Sequence, residues 1–148
     1  MGSTYLSLHY HLVFSTKKRE PLISGQWRAR LHEYLGGTIN RLGAQVETIG
    51  GTADHVHLLV ELRATHTLSD LVRELKKASS VWGHEELGLE SFAWQEGYAT
   101  FTVSASGREK VRSYIQNQEE HHRHRGFLEE LRILLQRSGV HFEERFLE

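Results

Sequence analysis

Asp54-His55-Val56-His57-Leu58-Leu59-Val60-Glu61-Leu62 is the stretch from which the rest of the chain is best read. It is apolar, rich in branched side chains and patterned with period two, which marks a β-strand. Residues two apart on a strand share a face, with Cα atoms roughly 6–7 Å apart. His55 and His57 therefore project side by side, while Val56, Leu58, Val60 and Leu62 face a core on the other side. At that separation two imidazoles can reach one divalent cation. With 11 histidines in 148 residues, the pair taken alone also fits two hydrogen-bonded strand histidines. Metal chemistry requires partners from elsewhere in the chain.

Upstream of this strand, Leu6 to Thr16 alternates, with Leu8, Tyr10, Leu12 and Phe14 on one face and His9, His11 and Val13 on the other. This predicts a first strand, in which His9 and His11 either face solvent or support a site near the third strand. Lys17 to Pro21 is a basic loop. Ser24 is a candidate N-cap for a helix to about Leu42, with Trp27, Leu31, Tyr34 or Leu35, and Ile39 on its buried stripe. Gln45 to Ile49 reads as a second strand, and Gly50-Gly51 begins the connection to the histidine strand. Downstream, Thr67 or Ser69 caps a helix that fades by Gly88, and Gly97 to Ser104 is a fourth strand. A long helix should follow the Ser106-Gly107 turn, from Arg108 to about Gln136 and interruptible near Gly126, before a tail that is a short strand or loose. The order β-α-β-β-α-β is that of a ferredoxin-like split β-α-β fold, an α+β antiparallel sheet with helices on one face. The last helix is additional.

Composition fits one domain over residues 1–148, with a core at about 5–125 and a tail at about 126–148. Cysteine is absent, which excludes disulfides, thiolate metal sites and a cysteine nucleophile, and is compatible with a reducing cytoplasm. No 18-residue apolar run or signal-peptide pattern is present, so a cytoplasmic protein without membrane attachment is expected. A net charge of −1 argues against indiscriminate coating of nucleic acid. Positive charge is nonetheless concentrated at Lys17, Lys18, Arg19, Arg28 and Arg30 and again between Arg108 and Arg125. Such patches suit a phosphate substrate, or are ordinary solvated faces.

The additional helix contains Tyr114-Ile115-Gln116-Asn117-Gln118-Glu119-Glu120-His121-His122. Tyr114 and Gln118 are four apart and share a helix face. Alone, Tyr114 would pass for a core residue with its hydroxyl at the rim. Beside two strand histidines it is a candidate covalent nucleophile, and the glutamine oxygen could complete a site for Mg²⁺ or Mn²⁺.

These segments resemble the His-hydrophobe-His (HUH) single-tyrosine transposases, and among them the insertion-sequence-200-like and REP-associated tyrosine transposases. The resemblance rests on Tyr10 to Lys17, Gly51 to Val60, Gln95 to Ser104 and Tyr114 to His122, in order, with the expected elements between them. It implies a divalent metal ion on His55, His57 and Gln118, with Tyr114 as nucleophile. It also implies cleavage and rejoining of single-stranded DNA through a 5′-phosphotyrosine link, recognition of hairpins at the ends of an element, and a homodimer with composite sites. A final helix hinged near Ser106-Gly107 would permit that exchange between subunits. Lys17, Lys18, Arg19, Arg28 and Arg30 become candidates for DNA backbone contacts. His121 is the substitute ligand should Gln118 not serve, and His122 lies four residues past Gln118.

Four other readings compete. One is a domesticated hairpin-DNA-binding protein of the same fold without transposition activity, and another is a ferredoxin-like metal-sensing domain in which Tyr114 has no role. Two-histidine phosphoesterases need two separated His-x-Ser/Thr motifs, which fits less well. Two-tyrosine HUH relatives would place a second tyrosine on the nucleophile helix, and none follows Tyr114.

Overall fold

The computed structural model describes residues 2–147; Met1 and Glu148, the ends of the expected domain span, lie outside the described residues. The chain runs β1 (His9–Ser15), α1 (Arg28–Arg41), β2 (Gln45–Gly51), β3 (His55–Glu61), α2 (Leu68–Glu86), β4 (Ala99–Val103), α3 (Arg108–Gln116), α4 (Gln118–His121) and α5 (Phe127–Arg137). Short 3-10 turns lie at Lys17–Arg19, Ala105–Gly107 and Glu144–Phe146. The sheet order is β2-β3-β1-β4, with every neighbouring pair antiparallel. The histidine strand is thus central, between β2 and β1. This is the ferredoxin-like α+β arrangement that the order of elements predicts.

Alternation along the two central strands divides the side chains between two layers. Leu12, Phe14, Val56, Leu58 and Val60 point to one face and form a continuous core with Leu31, Leu35 and Ile39 of α1 and Leu71, Val72 and Leu75 of α2. Full burial of each such aliphatic chain is worth about 1.5–3 kcal/mol. Thr67 caps α2 as expected, its side chain accepting from the Asp70 amide at 3.3 Å. The start of α1 differs. Ser24 Oγ accepts from the Gln26 amide at 3.3 Å and holds a turn, and regular helix begins only at Arg28.

His11, Val13, His57 and Leu59 belong to the opposite face, which α3, α4 and α5 cover. Leu59, Val103 and Ile115 form the smaller core there, with Val111 and Tyr114 packed against it. The long helix expected from Arg108 to Gln136, interruptible near Gly126, is three pieces. Asn117 breaks it first, with φ −102° and ψ 26°; its amide reaches the Ser113 and Tyr114 carbonyls at 3.2 and 3.3 Å. A turn through Arg123–Gly126 then redirects the chain so that α5 can lie back over the sheet. β2 also runs two residues further than expected, through Gly50 and Gly51, which pair with His57 and Val56. The closing segment contains a 3-10 turn at Glu144–Phe146 rather than a strand. No helix among the described residues is long and apolar enough to cross a membrane.

Candidate active site

β3 carries both histidines into the interior, each 0% exposed, because α3 to α5 close over the face they share. Their ring centroids are 5.1 Å apart. His55 Nδ1 faces Asp54 Oδ1 at 2.8 Å, and its Nε2 faces Gln118 Oε1 at 3.0 Å. Burial pushes Asp54 toward protonation, but the hydrogen bond and charge of His55 hold its carboxyl below the usual value. A neutral ring that donates Nδ1–H to Asp54 has a bare lone pair on Nε2, aimed at another lone pair on the glutamine. That juxtaposition is satisfied by a cation between the two atoms or by a second ring proton. Carboxylate support of one ring nitrogen is a common device for orienting a metal-binding imidazole.

His57 is held differently. Its Nε2 lies 2.9 Å from Glu130 Oε1 and its Nδ1 lies 2.7 Å from His11 Nε2. Burial lowers the His57 pKa to about 4, against the opposing pull of Glu130. Burial, with the neighbouring His57, lowers that of His11 to about 3. Both rings are neutral at pH 7. His57 then donates from Nε2 to Glu130 and accepts at Nδ1 from His11. Moving the His57 proton to Nδ1 reverses the bond to His11 and frees Nε2 as a ligand. His11 is therefore a buried support for His57, and not the solvent-facing residue that was one of its two expected positions.

Tyr114 projects from α3 onto the same cluster. Its hydroxyl donates to Glu130 Oε2, and its ring centroid is 5.8 Å from that of His57. Burial, then the hydrogen bond and charge of Glu130, push the phenol well above its usual pKa, so the hydroxyl is protonated in this arrangement. Burial also opposes ionisation of Glu130. The imidazoles of His122 and His57 close beside it and the hydrogen bond from the Tyr114 hydroxyl outweigh it and hold this carboxyl far below the usual range.

Gln118 is 1% exposed and its Nε2 donates to the Tyr114 carbonyl at 3.4 Å, which turns Oε1 toward His55. The expected helical spacing thus reaches the expected place, although a helix break intervenes. His121, expected as the substitute ligand, is exposed and lies against the Tyr114 ring at 4.6 Å. His122 takes the inward position, since it caps α4 one residue later. Its Nε2 is 3.2 Å from Glu130 Oε1, and one ligand atom each from His55, His122 and Glu130 fall within 4.8 Å of one another. Sequence reasoning missed Glu130. Its signal was an acid on the apolar stripe of α5, between Phe127 and Leu134.

The basic residues divide. Lys17, Lys18 and Arg19 are exposed in the turn that follows β1, where the Thr16 amide bonds the Asp54 carbonyl at 2.8 Å. They flank the His55 end of the sheet. Arg28 lines a groove of about 600 Å³ shared with Gly51, Asn117 and Gln118, and is paired with Glu119 at 3.1 Å. Arg30 stands apart, its guanidinium 5.7 Å from the Trp82 ring centroid over the α1–α2 layer. A smaller hollow of about 250 Å³ opens at Tyr114, His122 and Glu130.

The sequence profile described as "Transposase IS200 like" matches residues 4–118. The chain belongs to the IS200-like transposase family. Among its relatives, the ISDra2 transposase TnpA of Deinococcus radiodurans is 28% identical over 126 residues, covering 76% of this chain and 85% of the relative. The transposase for insertion sequence element IS200 of Salmonella typhimurium is 27% identical over 126 residues, covering 81% and 82%. A crystal structure assigned as a Deinococcus radiodurans R1 transposase superposes with a TM-score of 0.62 at 26% identity, over 80% of this chain and 96% of that one. The fold is also that of a REP-associated tyrosine transposase solved with a REP hairpin, with a TM-score of 0.55 at 16% identity over 78% and 70% of the two chains. His55, His57, Tyr114 and Gln118 lie inside the span matched to the IS200-like family; His122 and Glu130 lie beyond it.

Proposed function

We propose that this IS200-like transposase cuts and rejoins single-stranded DNA through a covalent link to Tyr114, with a divalent ion, Mg²⁺ or Mn²⁺, held by His55, His57 and Gln118. The observation that carries this reading is that β3, α3 and α4 bring these side chains into one cluster, in which His55 Nε2 faces Gln118 Oε1 while His57 Nε2 and the Tyr114 hydroxyl meet the two oxygens of Glu130. The donor set fits a metal, because His55 Nε2 and Gln118 Oε1 present lone pairs to each other at 3.0 Å while Asp54 orients the ring from behind. When bound, the ion would polarise a phosphoryl oxygen and stabilise the leaving alkoxide.

The chain's own residues supply the rest. The Tyr114 oxygen attacks the scissile phosphorus, forming the Tyr–O–P bond as the P–O3′ bond breaks. The phenolic proton passes along its hydrogen bond to Glu130 and from there to the departing 3′ oxygen, which leaves as a free hydroxyl. Attack by another 3′-hydroxyl on the phosphotyrosine releases Tyr114 and restores a phosphodiester without ATP. Lys17, Lys18 and Arg19 meet the DNA backbone beside the site, and Arg28 does so from the groove once freed from Glu119. Hairpin recognition and a homodimer with composite sites belong to the same proposal. The Ala105–Gly107 turn, where the Gly107 amide bonds Ser104 Oγ at 3.2 Å, is the hinge about which α3 would exchange. The reaction is placed in the cytoplasm, with its DNA.

The test is incubation with Mg²⁺ or Mn²⁺ and single-stranded hairpin oligonucleotides from DNA flanking the gene. A metal-dependent, denaturation-resistant adduct should map to Tyr114. Tyr114→Phe should abolish it while leaving hairpin binding intact; an adduct surviving in that variant refutes the assignment. Hairpin binding without any adduct in the unsubstituted protein would favour a DNA-binding role alone.

A further inference from the structure

A second cluster lies at the far end of the same sheet face. His9 of β1 and Glu61 of β3 are register partners. The β2–β3 ladder slips between Val46 and Thr48, so Glu47 is the extra residue of a β-bulge. Bulges re-aim side chains and recur beside functional sites. One ligand atom each from His9, Glu47 and Glu61 fall within 4.8 Å of one another. The His9 and Glu47 side chains are only 6% and 8% exposed, yet His9 Nδ1 and Glu47 Oε2 are buried with no hydrogen-bond partner. Unmet buried polar atoms are costly, and the nearest polar neighbour of His9 Nδ1 is the other Glu47 oxygen, Oε1, at 3.4 Å.

We propose that His9, Glu47 and Glu61 form a second metal site, for a Zn²⁺-class divalent ion, separate from the cluster around His55 and His57. One imidazole and two carboxylates suit such an ion and leave a position for water. Arg108, from the first turn of α3, donates to Glu47 Oε1, which leaves Oε2 for the ion. Half-buried Glu61 is the way in. Arg112 also donates to the Glu47 backbone carbonyl, at 3.3 Å. An ion here would therefore fix the residue to which the start of the tyrosine helix is tied.

The experiment uses the full chain carrying His55→Ala and His57→Ala, titrated calorimetrically with ZnCl₂ while histidine-ring NMR signals are followed. One ion per chain should still bind and shift the His9 signals, and adding His9→Gln or Glu47→Gln should weaken binding at least about tenfold. Absence of Zn²⁺ binding overturns the proposal. So does binding that leaves the His9 signals unmoved, as an ion held by His121, His122 and His124 would. Because the His9 signals are read without substituting that residue, the test stands even where His9→Gln does not fold.

Discussion

Gly50→Ala tests whether the tyrosine helix rests on β2 as described. Gly50 pairs with His57 and shares its face of the sheet. A Cβ there would lie 2.0 Å from the Ile115 carbonyl oxygen and 2.9 Å from its carbon. Both atoms are backbone, so no rotamer change relieves the contact, and α3 must retreat by at least about 1 Å to restore van der Waals separation. Ile115 directly follows Tyr114, so the proposed nucleophile moves with it. Misplacement of a reacting group by this much costs about 100-fold in rate, or about 2.7 kcal/mol of barrier, and overpacking removes about 1–3 kcal/mol of stability. The assays are the initial rate of Tyr114–DNA adduct formation and urea unfolding. Gly97→Ala is the control, because a Cβ at that position meets nothing within 4 Å. Hairpin binding through the Lys17–Arg19 turn should persist in both variants. If Gly50→Ala unfolds within about 0.5 kcal/mol of the parent, the range of an ordinary surface substitution, and forms adduct at the parental rate, α3 does not pack on β2 as inferred.

Chelation with EDTA should abolish adduct formation but not hairpin binding, with either Mg²⁺ or Mn²⁺ restoring it; cleavage in metal-free buffer would remove the metal from the mechanism. Glu130→Gln takes the charged acceptor from His57, His122 and Tyr114, and should lower stability by about 1.5–3 kcal/mol, read by denaturant unfolding. Acid should weaken the fold through its buried histidines. His57 and His11 have folded pKa values of about 4 and about 3, below the ordinary 6.5. The unfolded chain therefore binds more protons below pH 6.5, so stability is greatest above that pH. It falls toward pH 4 by up to about 1.4 kcal/mol per pH unit for each ring. Unfolding measured at pH 7 and pH 5 should show the slope, and His11→Gln should reduce it; identical slopes would mean that His11 is not held neutral.

What could be read from the residues alone follows the range of the interactions involved. Strand alternation is local, so Val56, Leu58 and Val60 identified the core face of β3, and the histidines its other face, without a partner in view. Thr67 announces the start of α2 because a cap needs only the next three residues. The break at Asn117 carries no such mark. It contains neither glycine nor proline, and Tyr114 to Gln118 keeps plausible helical spacing, so continuity was the natural reading. Only docking of α5 on the sheet makes the break and the Arg123–Gly126 turn worthwhile, because it covers the histidine face and buries Phe127 and Leu135. Glu130 was hidden for the same reason, since its partners lie 73 residues away in β3 and 16 away in α3.

The dependence runs in both directions. An acid on the apolar stripe of α5 would be a liability if that helix packed on hydrocarbon alone, since a buried, unpaired carboxylate carries a large desolvation penalty. It is tolerable because the sheet presents His57 where Glu130 arrives, with His122 and the Tyr114 hydroxyl on either side. The histidine face, in turn, would be open to water without α3 to α5. The histidine cluster and the closing layer therefore stabilise each other, and in the proposed reaction the groups that hold Tyr114 at rest are those it must leave, or pass its proton to, when DNA enters. It follows that substitutions in α5, such as Phe127→Ala beneath His55 at a ring separation of 4.6 Å, should change adduct formation as well as stability. An adduct rate unchanged by loss of that contact would show the layer to be only a cover.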